Sequence, residues 1–118
     1  MTQMIVLIIY NWYKATAMKF HNIDIPDDKI ADFCQRRKVV ELALFGSVLR
    51  DDFGPDSDID VLVTFTADCG WSLFDLVEMQ EELKDIFQRD VDLVEKEGLR
   101  NPFRRYEILN HMEVVYAA

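Results

Sequence analysis

The feature that most limits the fold of this chain is a strict alternation of side chains over residues 58–65. Every second position is apolar: Ile59, Val61, Val63 and Phe65. The positions between them hold Asp58, Asp60, Leu62 and Thr64. A period of two is that of a β-strand, whose successive side chains point to opposite faces of a sheet. The segment is therefore predicted to be a strand with one face on a core and two carboxylates on the other face.

Segments with strand or helix patterns flank this strand on both sides. Residues 39–45 (VVELALF) are apolar and end at Gly46, which is typical of a buried strand. The other predicted elements, in chain order, are a helix from Pro26 to about Arg37, a turn-rich loop at 51–57, a strand at 91–94, a helix at 103–110 and a strand at 113–116. With one more helix, described next, this order predicts an α/β (α+β) fold in which a small mixed sheet is backed by helices.

The remaining helix is marked by its N-terminal sequence. Ser72 and Asp75 have the spacing of a capping box, in which each side chain bonds the backbone amide of the other residue. The helix that follows is predicted to place its apolar side chains on one face: Leu73, Leu76, Val77, Leu83, Ile86 and Phe87.

Chain length and charge exclude some functions and leave others open. With 118 residues, the chain is long enough for one domain and too short for two, so a macromolecular substrate would have to supply part of an active site. The formal net charge of −9 argues against direct binding of DNA through its phosphates, which requires a basic surface. A nucleotide bound through metal ions escapes this objection, because the cations reverse the local charge.

The cysteines and the N-terminal segment say little about function. Cys34 and Cys69 are too few for a disulfide framework or a four-ligand zinc site, and free thiols in a reducing cytoplasm are expected. The apolar run at 4–10 is too short to span a membrane. Residues 1–17 are a minimal signal peptide, an extra strand, or sequence upstream of a start at Met18. The last is favoured because residues 18–118 have the pattern of one complete domain.

Gly46 and Ser47 form the first element with chemical potential. Glycine allows a backbone to approach a phosphate closely, and a helical turn over residues 47–50 would present free N–H groups to it. The Ser47 hydroxyl is placed to bond a phosphate oxygen. The alternative is a plain strand end followed by a helix N-cap.

Asp58 and Asp60 form the second element. Their Cα atoms are expected about 7 Å apart on one strand face, where two like charges repel unless a cation lies between them. Mg²⁺ is the natural occupant, since it prefers carboxylate and phosphate oxygens. The alternative is a solvated strand face, which the buried character of the following residues, VLVTF, disfavours.

Asp92 is the third element, within the strand predicted at 91–94. If this strand lies beside the 58–65 strand, Asp92 completes a carboxylate triad suited to two metal ions, and it is placed to accept a proton from an attacking hydroxyl. Asp90 falls on the same face but at the strand edge, so Asp92 is preferred as the third ligand.

The combined pattern resembles a known family. Gly46-Ser47, ten residues and then Asp58-Ile59-Asp60 is similar to the GS-x10-D-x-D signature of the DNA polymerase β superfamily of nucleotidyltransferases, with Asp92 as the later carboxylate. The text LFGSVLRDDFGPDSDIDVLV especially resembles the minimal nucleotidyltransferases, the antitoxins of HEPN toxin–antitoxin pairs. Asp51 departs from this pattern, because relatives often have glycine after the arginine.

The resemblance implies a fold, a site and an activity. It implies the polymerase β-type nucleotidyltransferase fold, two Mg²⁺ ions on Asp58, Asp60 and Asp92, and ATP phosphates at Gly46, Ser47 and Arg50. The implied reaction transfers AMP to a tyrosine of a cognate HEPN ribonuclease toxin, in a hetero-oligomer. A non-catalytic antitoxin and a small-molecule nucleotidyltransferase are the alternatives.

Three arginines have two interpretations each. Arg50 either contacts phosphates or is a surface residue paired with Asp51 or Asp52. Arg104 and Arg105 either contact substrate or partner or, as is more common for such a pair, lie on a solvated helix face.

Overall fold

The computed structural model describes residues 19–20, 23–50 and 53–118. The elements, in chain order, are β1 (Lys19–Phe20), β2 (Ile23–Asp24), α1 (Asp27–Arg36), β3 (Val39–Phe45), a 3₁₀ turn (Gly46–Leu49), β4 (Ile59–Phe65), α2 (Leu73–Phe87), β5 (Val91–Glu95), a second 3₁₀ turn (Lys96–Gly98), α3 (Pro102–His111) and β6 (Glu113–Ala117). Each strand and helix predicted from residue 26 onward is present, with bounds within about two residues of those expected.

The main sheet has four strands in the order β5-β4-β3-β6. β3 pairs antiparallel with both β4 and β6, whereas β4 and β5 are parallel. A parallel pair cannot be joined by a tight hairpin, and α2 supplies the longer crossover between these two strands. The sheet is therefore mixed, and the predicted α/β class with a small mixed sheet is confirmed.

The two faces of the sheet bury different sets of side chains. The larger core lies between one face and helices α1 and α2, and includes Phe33, Leu42, Leu44, Ile59, Val61, Val63, Met79 and Leu83. The smaller core lies on the opposite face and includes Ala43, Phe45, Leu62, Leu99 and Ile108. The alternation along β4 thus serves two cores, and the face beneath α3 is the one that carries Asp60.

Helix α2 begins as predicted, but its buried stripe differs from the predicted one. The capping box is present: the Asp75 amide donates to Ser72 Oγ at 3.3 Å, and the Ser72 amide donates to Asp75 Oδ2 at 2.8 Å. Met79, Leu83 and Phe87 are buried, whereas Leu73 and Val77 are exposed. At 100° per residue Val77 lies about 120° from Leu83 around the helix. The assignment of Val77 and Leu73 to the buried face was wrong.

Several smaller features complete the fold. The pairing of β1 with β2 was not predicted. Ile23 of β2 and Ile25, which follows it, join the larger core. Cys34 is buried, Cys69 is half-buried, and both are free thiols. Within the described residues, no helix is both long and apolar enough to cross a membrane. The predictions for residues 1–17 and for Asp51 lie outside those residues.

Candidate active site

The sheet register brings the predicted site residues to one edge. Asp60 of β4 is the partner of Phe45 on one side and of Asp92 on the other. Neighbouring strands lie about 4.8 Å apart, so the Asp60 and Asp92 side chains stand side by side on the α3 face of the sheet. Asp58 precedes β4 and is exposed at the same edge. The end of β3 and the starts of β4 and β5 therefore meet where Gly46 follows β3.

Gly46 packs directly against the Asp60 carboxylate. Its φ of +73° lies in the left-handed region, and a Cβ at this position would lie 2.2 Å from Asp60 Oδ2. Because real Cβ atoms do not approach so closely, any other residue here would require the Asp60 carboxylate or the turn to move. Glycine is expected here to allow the approach of a phosphate; in the structure it first permits the approach of the Asp60 carboxylate.

The predicted helical turn after Gly46 is present as the 3₁₀ turn Gly46–Leu49. It closes with a hydrogen bond from the Arg50 amide to the Ser47 carbonyl at 2.9 Å. The Ser47 hydroxyl donates to the Asp58 carbonyl at 3.3 Å, which ties the turn to the residue before β4. Ser47 thus links the Gly46 turn to the aspartate pair.

The electrostatics of the site centre on Asp60. Burial raises the pKa of its carboxyl above the usual 3.8, and the negative charges of Asp92 and Asp58 raise that pKa further. The positive charges of Arg104 and Arg50 act in the opposite direction. A cation among the three carboxylates would relieve this repulsion.

Two arginines from separate elements face this edge of the sheet. Arg50 follows the 3₁₀ turn, and Arg104 lies on α3; both line a cavity of about 710 Å³. That size falls within the range of small-ligand sites. Its other lining residues are Phe45, Gly46, Leu49, Glu107, Ile108, Asn110, His111, Met112 and Glu113. Asp51 and Asp52, the alternative partners proposed for Arg50, lie outside the described residues.

The Arg104–Arg105 pair divides between two roles. Arg104 is exposed and acts on Asp60, whereas Arg105 is partly buried and donates to the carbonyls of Lys96 at 3.0 Å and Leu99 at 3.4 Å. Arg105 therefore fastens α3 to the turn that precedes it. The interpretation of the pair as a solvated helix face was wrong for Arg105. It also did not predict that Arg104 lies near Asp60. Only the packing of α3 over the sheet reveals that proximity.

Asp90 and Asp92 lie in different surroundings. Asp92 is in register with Asp60, while the Asp90 carboxylate pairs with Lys84 of α2, Oδ1 to Nζ 3.1 Å. Asp90 also contributes its backbone carbonyl, which accepts from the Ile59 amide at 2.9 Å. The Asp90 side chain is therefore engaged toward the helix, and the backbone contact survives a change of that side chain.

Substitutions at these two positions test the choice of the third carboxylate. Asp92→Asn is expected to lower the nucleotidyl-transfer rate by at least about 100-fold, because it removes the predicted metal ligand beside Asp60. Asp90→Asn keeps the backbone bond, breaks only a surface ion pair and is expected to change the rate by less than about threefold. Steady-state rates of the two variants decide the matter, and equal losses would contradict the assignment.

The donor chemistry of this edge fits Mg²⁺ with a triphosphate. In the described part of the chain, no three histidine, cysteine, aspartate or glutamate side chains stand close enough, as they are placed, to hold a metal ion. The set at this edge nevertheless offers three carboxylates, the ligand type that Mg²⁺ prefers, with arginines at hand for the phosphates. Because Gly46 has no Cβ, no side chain at that position competes with a ligand for the Asp60 carboxylate.

Comparison with known proteins decides the family. Residues 27–115 match the family model described as the nucleotidyltransferase domain. The chain belongs to this nucleotidyltransferase domain family. The protein adenylyltransferase MntA of Thermococcus cleftensis is 35% identical over 82 residues, which cover 70% of this chain and 78% of the relative. A candidate protein adenylyltransferase of Methanocaldococcus jannaschii is 34% identical over 89 residues, covering 75% of this chain and 92% of the relative.

Solved structures agree with this nucleotidyltransferase assignment. A candidate minimal nucleotidyltransferase superposes with a TM-score of 0.62 at 31% identity, covering 74% of this chain and 86% of the other. A toxin–antitoxin complex with AMP-PNP gives 0.64 at 20% identity, covering 79% and 74%, which shows the shared fold. The resemblance to the minimal nucleotidyltransferases and the prediction of a nucleotidyltransferase enzyme are confirmed.

Proposed function

We propose that this nucleotidyltransferase transfers AMP from ATP to a tyrosine hydroxyl of a HEPN ribonuclease toxin and thereby acts as its antitoxin. The observation that carries the proposal is the packing of Gly46 on Asp60, with Asp92 in register beside it. The relatives named protein adenylyltransferases support AMP as the transferred group and a protein as the acceptor. A structure with the shared fold contains an AMPylated HEPN toxin of Shewanella oneidensis with its antitoxin, at 20% identity.

The proposed site divides the work among few residues. Asp58, Asp60 and Asp92 would hold two Mg²⁺ ions, which would supply charge stabilisation to the attacking and leaving oxygens when bound. The backbone amides of the turn that begins at Gly46 would hold the phosphates, while the Ser47 hydroxyl stays bonded to the Asp58 carbonyl. Arg50 and Arg104, which both line the cavity, would neutralise the triphosphate, as arginine does in other phosphate sites.

The chemistry needs positioning more than covalent participation by the protein. The acceptor oxygen forms a bond to the α-phosphorus of ATP. The bond from that phosphorus to the bridging oxygen of the β-phosphate breaks, and pyrophosphate leaves. The hydroxyl proton passes to the Asp92 carboxylate. We place this reaction in the cytoplasm, where ATP is abundant and free thiols such as Cys34 persist.

An acceptor protein would dock beside the carboxylates on α3. Phe103 and Tyr106 are 84% and 71% exposed, one helical turn apart, on the helix that directs Arg104 toward Asp60. Large exposed aromatic side chains of this kind are common anchors at protein interfaces. On this placement the acceptor itself would close the site, in a hetero-oligomer.

The chain offers a matched control for this docking surface. Leu73 and Phe74, at the start of α2, are 74% and 83% exposed. Trp71, just before them, donates from Nε1 to the Arg37 carbonyl at 2.7 Å, so they lie near the start of β3. That end is about 20 Å of strand away from Gly46.

Replacing both α3 aromatics by serine is expected to raise the KM for the acceptor by at least about tenfold, since each buried anchor contributes ~1 kcal/mol or more. The double substitution of Leu73 and Phe74 by serine should leave that KM within about twofold. Titration of the acceptor against both double variants measures the difference, and an equal loss in the two would exclude α3 as the specific surface.

The proposed activity is tested with the product of the neighbouring gene. The two proteins are co-expressed and incubated with Mg²⁺ and ATP labelled at the α-phosphate, with the Asp58→Ala, Asp60→Ala double variant as the blank. Label on a partner tyrosine that requires intact carboxylates is the expected result. A stable complex without label would favour a binding-only antitoxin, and neither complex nor label would favour a small-molecule acceptor.

A further inference from the structure

The loop that leads into Asp58 is fastened to the end of α2 by one side chain, Arg89. Its Nη2 donates to the Ser57 carbonyl at 2.7 Å and also to the Gly54 carbonyl. The guanidinium carbon lies 4.3 Å from the centre of the Phe53 ring, a cation–π contact. One arginine therefore contacts three residues of the same five-residue segment, 53–57.

Binding of the Arg89 guanidinium to this loop leaves one of its nitrogen atoms buried without a hydrogen bond to the described part of the chain, which is unfavourable. Arg89 Nε is buried and has no hydrogen-bond partner among the described residues. A buried polar atom without a partner is unfavourable by about 1–3 kcal/mol. A residue needed merely to end α2 would not require such burial, since Gln88 already ends the helix in a left-handed conformation with φ of 56°.

The loop in turn determines where Asp58 stands. Gly54 and Ser57 close a tight turn: the Ser57 amide donates to the Gly54 carbonyl at 3.1 Å, and the Gly54 amide donates to Ser57 Oγ at 3.1 Å. Asp58 follows at once, and its carbonyl accepts from Ser47 Oγ. Its backbone is thus held between the Gly46–Leu49 turn on one side and the Arg89-bound loop on the other. The register of the β4–β5 pair begins at Ile59, one residue after Asp58.

We propose that Arg89 is a positioning residue for nucleotidyl transfer, which fixes the 53–57 loop so that the Asp58 carboxylate faces the same ion as Asp60. This inference rests on the proposed function, because it takes Asp58 as a metal ligand. Residues that orient metal ligands from outside the coordination shell change metal affinity by about 10–100-fold when removed. Arg89 acts through the loop backbone and touches neither nucleotide nor acceptor.

The test measures Mn²⁺ binding directly, by the loss of the free-ion EPR signal in the presence of a non-hydrolysable ATP analogue. Arg89→Gln is expected to weaken Mn²⁺ binding about tenfold and to speed amide hydrogen exchange in 53–59. We also expect kcat to fall while the KM for ATP changes less than about threefold. Arg89→Lys retains the charge but not the forked geometry, and should recover part of the affinity.

The matched control is Arg37→Gln. Arg37 is also partly buried, donates to Glu82 at 3.1 Å and lies 5.6 Å from the Trp71 ring, at the other end of the sheet. It should lower the thermal midpoint while leaving Mn²⁺ affinity unchanged. Wild-type affinity in Arg89→Gln, or an equal loss in Arg37→Gln, would overturn the inference; if Arg89→Gln does not fold, the same comparison is made with Arg89→Lys.

The Asp58→Ala variant separates this inference from the proposed site. Weakened Mn²⁺ binding in Asp58→Ala but not in the Arg89 variants would leave the metal site intact and reject the positioning role. Unchanged Mn²⁺ binding in Asp58→Ala would reject Asp58 as a metal ligand, and the role of Arg89 with it.

Discussion

Replacing Gly46 by alanine is expected to reduce nucleotidyl transfer by at least about 100-fold. The new methyl group would lie 2.2 Å from Asp60 Oδ2, so the carboxylate or the turn must move. A displacement of about 1 Å at reacting groups is enough for a loss of this order. The measurement is the steady-state transfer rate, accompanied by a thermal unfolding curve to show that the variant is folded.

Gly70→Ala provides the control for backbone strain. Gly70 has nearly the same φ, +71°, but a Cβ there would meet nothing within 4 Å. Both substitutions incur the left-handed penalty of about 1–2 kcal/mol, and Gly46→Ala alone adds the clash. Gly70→Ala should therefore lower stability and leave activity intact. Comparable losses of activity in the two variants would show that strain, and not contact with Asp60, explains the glycine at position 46.

Asp60→Asn is expected to lower the transfer rate by about 10³-fold, ~4 kcal/mol, and yet to stabilise the metal-free protein at neutral pH. The loss follows from removal of the carboxylate proposed as the central metal ligand. The gain follows from removal of a half-buried negative charge that Asp92 and Asp58 repel. A substitution that improves the fold while it abolishes activity is the mark of a residue kept for its chemistry.

The raised pKa of Asp60 determines the direction in which this residue changes the stability of the fold with pH. Because its pKa is raised in the folded protein above the usual 3.8, the folded state holds this proton more tightly than the unfolded chain does. The stability contribution of Asp60 is therefore largest at low pH and is lost as pH rises from 3.8 through the raised value. The thermal midpoints of wild type and Asp60→Asn should converge on acidification. They should diverge as the pH rises above the pKa of Asp60.

The same thermal midpoints can be measured with Mg²⁺ added. The ion would neutralise the repulsion at Asp60, so Mg²⁺ should raise the thermal midpoint of the wild type and have little effect on Asp60→Asn. A variant that is less stable than wild type without metal at neutral pH would contradict the electrostatic description of the site.

Much of the fold could be predicted because its signals are local. The alternation along β4, the apolar run of β3 and the Ser72–Asp75 box each depend on residues within one element. The predicted stripe of α2 failed where local pattern was insufficient. Val77 is apolar, but the angle at which the helix packs on the sheet leaves it exposed and buries Met79 instead.

The candidate site could be predicted only in part, for a related reason. The motif residues can be identified from their spacing in the sequence. The register places Asp92 beside Asp60, as expected if β5 lies next to β4. Arg104 and Arg89 have no such spacing. The first reaches the site because α3 crosses the sheet, and the second because α2 ends beside the 53–57 loop. Both positions depend on tertiary packing, which no single-sequence pattern encodes.

The place of β5 in the sheet has a consequence for local stability. Among the strands that the structure describes, β5 is at an edge and has β4 as its single neighbour. Edge elements open with less free energy than the whole molecule requires. Opening of β5 would carry Asp92 away while Gly46 and Asp60 remain together in the β3–β4 hairpin. The enzyme is therefore expected to lose catalytic competence on heating before its core unfolds.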